Sequence, residues 1–393
     1  MNVRPETSGR KRYPIGISAV TMTAAVPYRA DHVGSLLRPA ELLRARAAHA
    51  DGRLQLDELR TIEDRLILQA LQLQQRSGLD VFTDGEFRRG SWLTDMAEAV
   101  DGFVPDRITV EWRGPGGGPE FSTANIVGDK LHQKRRLTAH EVALLADHAP
   151  GPIKMTLPSL STFMVASYKP GVTDRVYATR ADLLAELMGI VRREIHALVE
   201  EGVSYIQLDA PFYTFFVDRV VQERWRGRGL DPRGALDESI AADNACLDGA
   251  RPDDGTGRAV TMGLHVCRGN SKSRWYTEGA YDPIAEQLFG RLRVDRFLLE
   301  YDTARAGGFE PLRFVPKGTT VVLGLVSTKE PRLESQDDLL LQIDRASRYV
   351  PIEYLALSPQ CGFASVAEGN LITEDDQRRK LELVAETVRK VWS

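Results

Sequence analysis

The sequence predicts an α/β fold, a (βα)8 TIM barrel with a hairpin inserted after the second strand. Three observations lead there. From Tyr28 onward, short apolar runs closed by Gly, Ser or Asp alternate with long amphipathic stretches, the pattern of parallel strands joined by helices. Eight such strand-like runs can be counted. The length, 393 residues, suits one large barrel with an insertion. An open doubly wound sheet is the alternative architecture for the same alternation.

Taken in order, residues 1–27 are basic and then weakly apolar, broken by Pro14 and Gly16. They read as a disordered N-terminal extension with Met22 as a candidate start, because no strong apolar core or cleavage site marks a secretory signal. Residues 28–393 read as a single barrel domain. The first run, 28–33, closes on Gly34-Ser35, and Pro39 opens a charged helical pair that reaches Ser77. The second, 79–83, ends in Asp84-Gly85-Glu86.

The rhythm then breaks. Runs at 108–112 and 120–126 flank a Gly/Pro-rich turn, which predicts a hairpin within an insertion at about 103–150. On a barrel loop such an insertion serves as a lid or a partner surface. The remaining strands are expected at 152–157, 203–209, 259–267, 296–301, 319–326 and 352–357. Helices are expected at 180–201, stopped by Gly202, at 236–247, and at 374–391 as the closing element.

Composition narrows the function. A net charge of −4 with both signs interspersed leaves no basic footprint for nucleic acid. No apolar run approaches the roughly 18 to 20 residues that span a bilayer. Three scattered cysteines make no disulfide framework, which fits a reducing, cytoplasmic setting and a metal or catalytic use for the thiols. Small-molecule chemistry is the expectation.

In a (βα)8 barrel the carboxyl ends of all strands face one pocket. His265 and Cys267 lie two positions apart, so on a strand both point to one face. Glu300 lies at the end of the sixth run and Cys361 follows the eighth. Together they offer one nitrogen, two sulfurs and one carboxylate oxygen, a set suited to tetrahedral Zn2+. The plain alternative is a buried thiol pair beside an unrelated glutamate. Cys246 falls on a helix and reads as a core cysteine. His32, just before Gly34-Ser35, reads either as an acid/base catalyst or as a structural histidine. Glu86 and Asp209, the other catalytic candidates, suit a cationic amine at the barrel mouth, or else are acids paired with Arg88, Arg89 or Arg268. Phe212, Tyr213, Phe215, Phe216, Trp275 and Tyr276 read as a donor pocket or as barrel-to-helix packing.

His265-Val266-Cys267, Glu300 and Ser358-Pro359-Gln360-Cys361-Gly362 resemble the zinc-binding motifs of the cobalamin-independent methionine synthase family. The resemblance spans about residues 28–390 and corresponds to the catalytic carboxyl-terminal barrel; the separate amino-terminal barrel of full-length members has no counterpart in this sequence. It implies a zinc that binds homocysteine as thiolate for methylation to methionine from a methyltetrahydrofolate. Val33-Gly34-Ser35, Gly85-Glu86 and Asp209-Ala210-Pro211 resemble the family's amino-acid recognition segments, implying Ser35 for the substrate carboxylate and Glu86 and Asp209 for its ammonium. Two features of the family are missing. Gly324–Lys329 holds no proton-donating histidine, and Thr156–Ser161 holds no pterin-stacking tryptophan.

The expected function is therefore zinc-dependent methyl transfer to a small thiol, most directly homocysteine. The donor is a methylfolate, a methylcobamide carried by a corrinoid protein, or another activated methyl compound. The rivals are alkyl transfer to another thiol, such as epoxide opening by coenzyme M, and a non-catalytic zinc-containing ligand-binding barrel. No membrane or nucleic-acid partner is expected.

Overall fold

The computed structural model describes residues 28–227, 231–248 and 260–392. The expected N-terminal extension at 1–27 and the start of the fifth strand at Ala259 lie outside these residues. Two antiparallel strands, β1 (Val100–Trp112) and β2 (Gly118–Gln133), form the hairpin. Six parallel strands follow in sequence order in one sheet: β3 (Lys154–Pro158), β4 (Tyr205–Asp209), β5 (Thr261–Val266), β6 (Arg296–Glu300), β7 (Thr320–Val326) and β8 (Leu355–Pro359). All but the first residue of β5 are buried, which explains their nearly continuous apolar character: helices cover a parallel sheet on its outer face.

The first two expected strands are shorter than the sequence implied. Ala30 makes a single parallel bridge to Leu357 of β8, and Phe82 a single bridge to Ile153 beside β3. The Asp80 N–H donates to the Ala30 carbonyl at 3.0 Å, so the two segments link the outer strands of the sheet in a TIM-barrel-like arrangement. Their own side chains compete for ladder partners. Asp80 accepts from the Ala30 N–H at 2.8 Å and Asp31 from the His32 N–H at 2.8 Å, which limits regular pairing. The eighth strand also starts late. Ile352–Tyr354 form a 3₁₀ turn after Pro351, held by Arg29 on the carbonyls of Ile352 and Glu353.

Helices Ala40–Ala50, Leu56–Ser77, Arg180–Glu200, Pro232–Leu247 and Glu374–Trp392 match the expected amphipathic stretches. Gly78, at φ +82°, ends the second of them. The main apolar core lies between these helices and the sheet. Inside the sheet, Val81, Tyr205, Leu298, Val322 and Ala356 form a separate small cluster. Beside it lies a buried ion cluster built from Asp31 and the first residues of three strands. Asp31 meets Lys154 at 2.9 Å and Arg296 at 3.3 Å, and accepts from the Tyr205 hydroxyl at 3.1 Å.

The hairpin is longer than 108–112 and 120–126 suggested, and Ala139–His148, inside the expected insertion, is a helix leading back to β3. The ribbon leaves the carboxyl end of the second segment, the end that bears the site. Its tip is tied down there. Arg113 and Trp275 exchange backbone hydrogen bonds of 2.7 and 3.2 Å, and Arg113 pairs with Asp218 at 2.8 Å. Gly114, at φ +94°, lies so close to Trp275 that a Cβ would meet its ring at 2.3 Å.

Candidate active site

β5 ends at Val266, so His265 is its penultimate residue and Cys267 stands just past the strand, both directed to one place by the alternation of the pleat. Cys361 follows β8. The two sulfurs are 3.6 Å apart, and with one ring nitrogen of His265 they lie within 4.8 Å of one another. All three residues are buried, and neither ring nitrogen of His265 has a hydrogen-bond partner within bonding geometry among the described residues. A buried imidazole without partners is costly unless something else engages it. Two sulfurs ~2.3 Å from one tetrahedral ion would stand roughly 3.8 Å apart, close to the spacing here.

Electrostatics agree with a site built to hold thiolate. Cys267 and then His265 hold the Cys361 thiol well below its ordinary range, while the same sulfur contact and burial push Cys267 up. Burial opposes protonation of His265, yet Cys361 raises it overall. Glu300 ends β6 beside this group but outside the converging trio. Its Oε2 accepts from the Arg268 N–H at 2.8 Å and its Oε1 from Arg305 Nε at 3.1 Å. Burial would raise its pKa, but Arg268, Lys329 and Arg305 together hold the carboxyl below its usual range.

The second candidate set lines the neighbouring strand ends. Ser35 packs on the Cys361 loop: its carbonyl accepts from the Phe363 N–H at 2.9 Å and its hydroxyl from the Ala364 N–H at 3.4 Å. Gly362 permits that approach, since a Cβ there would lie 2.0 Å from Ser35 Oγ. Glu86, at φ +58°, accepts from Thr156 Oγ1 at 3.1 Å through Oε1, and its buried Oε2 has no partner among the described residues. Asp209 pairs in register with His265 and accepts from Gln207 Nε2 at 2.7 Å. Burial, with Glu86 adding to it, pushes the Asp209 pKa up to about 7. Burial likewise raises Glu86, against Arg89 and Arg38.

The arginines that might have neutralised these acids have other engagements. Arg89 grips Glu141 at 2.8 and 2.7 Å, Arg88 pairs with Asp64, and the Arg268 guanidinium bonds to the carbonyls of Gly279 and Glu300. His32 lies deeper. Its Nε2 is 3.2 Å from the Val81 carbonyl, its own carbonyl accepts from Lys154, and burial followed by the Lys154 charge lowers its pKa to about 4. These contacts place it with the ion cluster of Asp31 and Lys154.

The aromatic patch divides. Tyr213 and Phe216 are buried, with Tyr213 donating to Asp243 at 2.8 Å. Phe212 and Phe215 are half-buried and meet Tyr276 at 6.0 and 5.3 Å between ring centres, with Trp112 of the hairpin 5.8 Å from Tyr276. Trp112 and the polar pair Asn270 and Lys329 were not singled out by sequence reasoning. Lys329 does lie three residues beyond the strand expected at 319–326, and that position is the signal that could have marked it.

A parallel barrel-like sheet whose strand ends gather a buried imidazole, two thiols and two raised carboxyls defines a class, that of enzymes working at the carboxyl face of a barrel. Residues 29–374 match the family described as cobalamin-independent synthase, catalytic domain, and the chain belongs to that family. Protein YxjG of Bacillus subtilis (strain 168) is 37% identical over 382 residues, 93% of this chain and 95% of that one. The methionine synthase of Pyrococcus abyssi is 25% identical, covering 84% of each chain. A crystal structure from Listeria monocytogenes, described as a vitamin-B12 independent methionine synthase, superposes with a TM-score of 0.71 at 28% identity, covering 94% of this chain and 100% of that one. Family membership and fold support an enzyme of the methyl-transferring kind.

Proposed function

We propose that the protein is a zinc-dependent S-methyltransferase that methylates a small thiol, homocysteine giving methionine. The observation that supports this most is the buried trio of His265, Cys267 and Cys361, with two sulfurs 3.6 Å apart and an imidazole whose nitrogens have no hydrogen-bond partner among the described residues. One histidine and two thiolates are good donors for zinc, and Glu300 is the fourth ligand we assign. Bound zinc would supply a thiolate at neutral pH from a substrate thiol whose ordinary pKa is ~8.5. As the hard oxygen donor of the set, Glu300 would be the ligand that yields when the substrate sulfur enters, and Arg268 and Arg305 are at hand to hold it.

The chain's own residues then do the positioning. Glu86, with Oε2 unpartnered, and Asp209 would take the substrate ammonium, and Ser35 its carboxylate. His32, kept neutral by burial, would support the wall beneath them. Trp112, Phe212 and Tyr276 would keep water from the mouth while the donor's carbon–heteroatom or carbon–cobalt bond breaks and the sulfur–carbon bond forms. The donor is a methylfolate, a methylcobamide on a corrinoid protein, or another activated methyl compound, and each can be assayed with homocysteine. Acids rather than lysines or arginines at the amino-acid positions speak against a sulfonate thiol such as coenzyme M.

Metal analysis tests the site. The wild-type protein should carry about one zinc per chain, and Cys267→Ala and Cys361→Ala should lose it or bind it at least tenfold more weakly. Full zinc content in both variants would overturn the assignment.

A further inference from the structure

Three residues beyond Cys267, Asn270 joins the two cysteine loops. Its Nδ2 donates to the Gly362 carbonyl at 2.7 Å, next to Cys361, and to Ser365 Oγ at 3.2 Å. Its Oδ1 accepts from Lys329 Nζ at 2.9 Å, and Lys329 also donates to the Gly269 carbonyl at 2.9 Å. Thr328, one residue before the lysine, donates to the same Gly362 carbonyl at 3.2 Å. The end of β7 thus holds the backbone beside both thiols, and does so through a lysine that is only 8% exposed.

Burying an ammonium is expensive, and such groups are normally paired with a carboxylate. Lys329 makes no such contact among the described residues: its hydrogen bonds go to a backbone carbonyl and an amide, and Glu300 and Asp302 feel its charge only at longer range. The other cations near the site are committed: Arg305 to Glu300 and Asp302 at 3.1 and 3.2 Å, and Arg268 to Gly279, Tyr281 and the Glu300 carbonyl. Two cysteine thiolates neutralise a divalent ion and the Glu300 charge is answered by Arg305, so an incoming thiolate adds a negative charge that nothing in the ligand set offsets.

We propose that Lys329, held in place by Asn270, is the positioning cation for the substrate thiolate, the charge that makes room for a third sulfur at the site. This rests on the zinc-thiolate reading above. It predicts a distinction between ligands that differ only in charge at sulfur. Lys329 should favour homocysteine, which binds as a thiolate, and be indifferent to methionine, whose thioether brings no charge.

The test is calorimetric binding of homocysteine and of methionine to zinc-loaded wild type, Lys329→Met and Lys329→Gln. The second variant removes the charge but keeps an N–H donor for Asn270 Oδ1, and both leave the Asn270 bonds to the Cys361 loop in place. Both variants should keep about one zinc per chain, bind homocysteine about ten- to a hundredfold more weakly, and bind methionine as wild type does. Unchanged homocysteine affinity in both, or equal weakening for the two ligands, would overturn the inference while leaving the zinc site standing. A wild-type protein that holds zinc but binds no homocysteine would instead remove the functional reading, and this inference with it.

Discussion

His265 and Cys267 are the residues whose roles could be read most directly, because strand alternation alone sends i and i+2 to one side and their side chains have little other use there. Cys361 needed the closing of the sheet, and Lys329 needed more: an ammonium acts through whatever the fold sets beside it, so its position could be seen but not its neighbours. His32 shows the same limit from the other side. Its place before Gly34-Ser35 allowed a catalytic role, but burial, and after it Lys154, 122 residues away, set its charge state. Burial pushes its pKa from 6.5 to about 4, so the imidazole is neutral in the folded chain and takes up a proton on unfolding between those values. The unfolded state therefore binds more protons in that window, and stability rises with pH across it. Urea unfolding should show a loss of up to about 3 kcal/mol on going from pH 7 to pH 4 that is attributable to this group. His32→Gln, with no titrating ring, should be less stable at pH 7 and lose correspondingly less on acidification. Parallel slopes for the two proteins would refute the assignment.

At the scale of elements, the alternation of runs located all six ladder strands to within a few residues, because buried parallel strands are apolar throughout and their flanking turns carry Gly, Pro and Asp. The two misjudged elements are those whose polar side chains compete with the ladder, through Asp31 and Asp80. The hairpin was visible as a Gly/Pro-rich break, but its docking was not, since Trp275 lies over 150 residues from the tip. That docking makes a mutational test possible. Gly114→Ala would set a methyl group 2.3 Å from the Trp275 ring at a backbone angle of +94°, which alanine adopts only under strain. The tip should detach while the barrel stays folded. Limited proteolysis within Val100–Gln133 should then accelerate about tenfold, a change of roughly 1.4 kcal/mol in the opening equilibrium, with zinc content unaltered. Cleavage at the wild-type rate would mean that the ribbon is not held by this contact.

Across the whole molecule, the sheet has two differently built ends. The carboxyl ends of the strands carry imidazole, thiols and acids with polar atoms that have no hydrogen-bond partner among the described residues, such as Glu86 Oε2 and both nitrogens of His265. The amino ends carry charges that are satisfied by one another: Asp31 is met by Lys154, Arg296 and Tyr205 inside the ring of strands. In barrels the first kind of end serves chemistry and the second stability. Lys154→Met tests that division. It leaves Asp31 buried with Arg296 as its remaining charge partner, and breaking a buried pair from one side costs about 3 to 5 kcal/mol. The five-residue strand from Lys154 to Pro158 puts roughly 13 Å between the two ends, beyond the range at which separate sites usually couple. Chemical unfolding should therefore report a loss of that size in Lys154→Met, while the zinc affinity of the folded protein, measured by chelator competition, stays within about twofold of wild type. Loss of zinc affinity together with stability would show that the ion cluster reaches through the barrel to the thiols, and the two ends would then have to be treated as one coupled site.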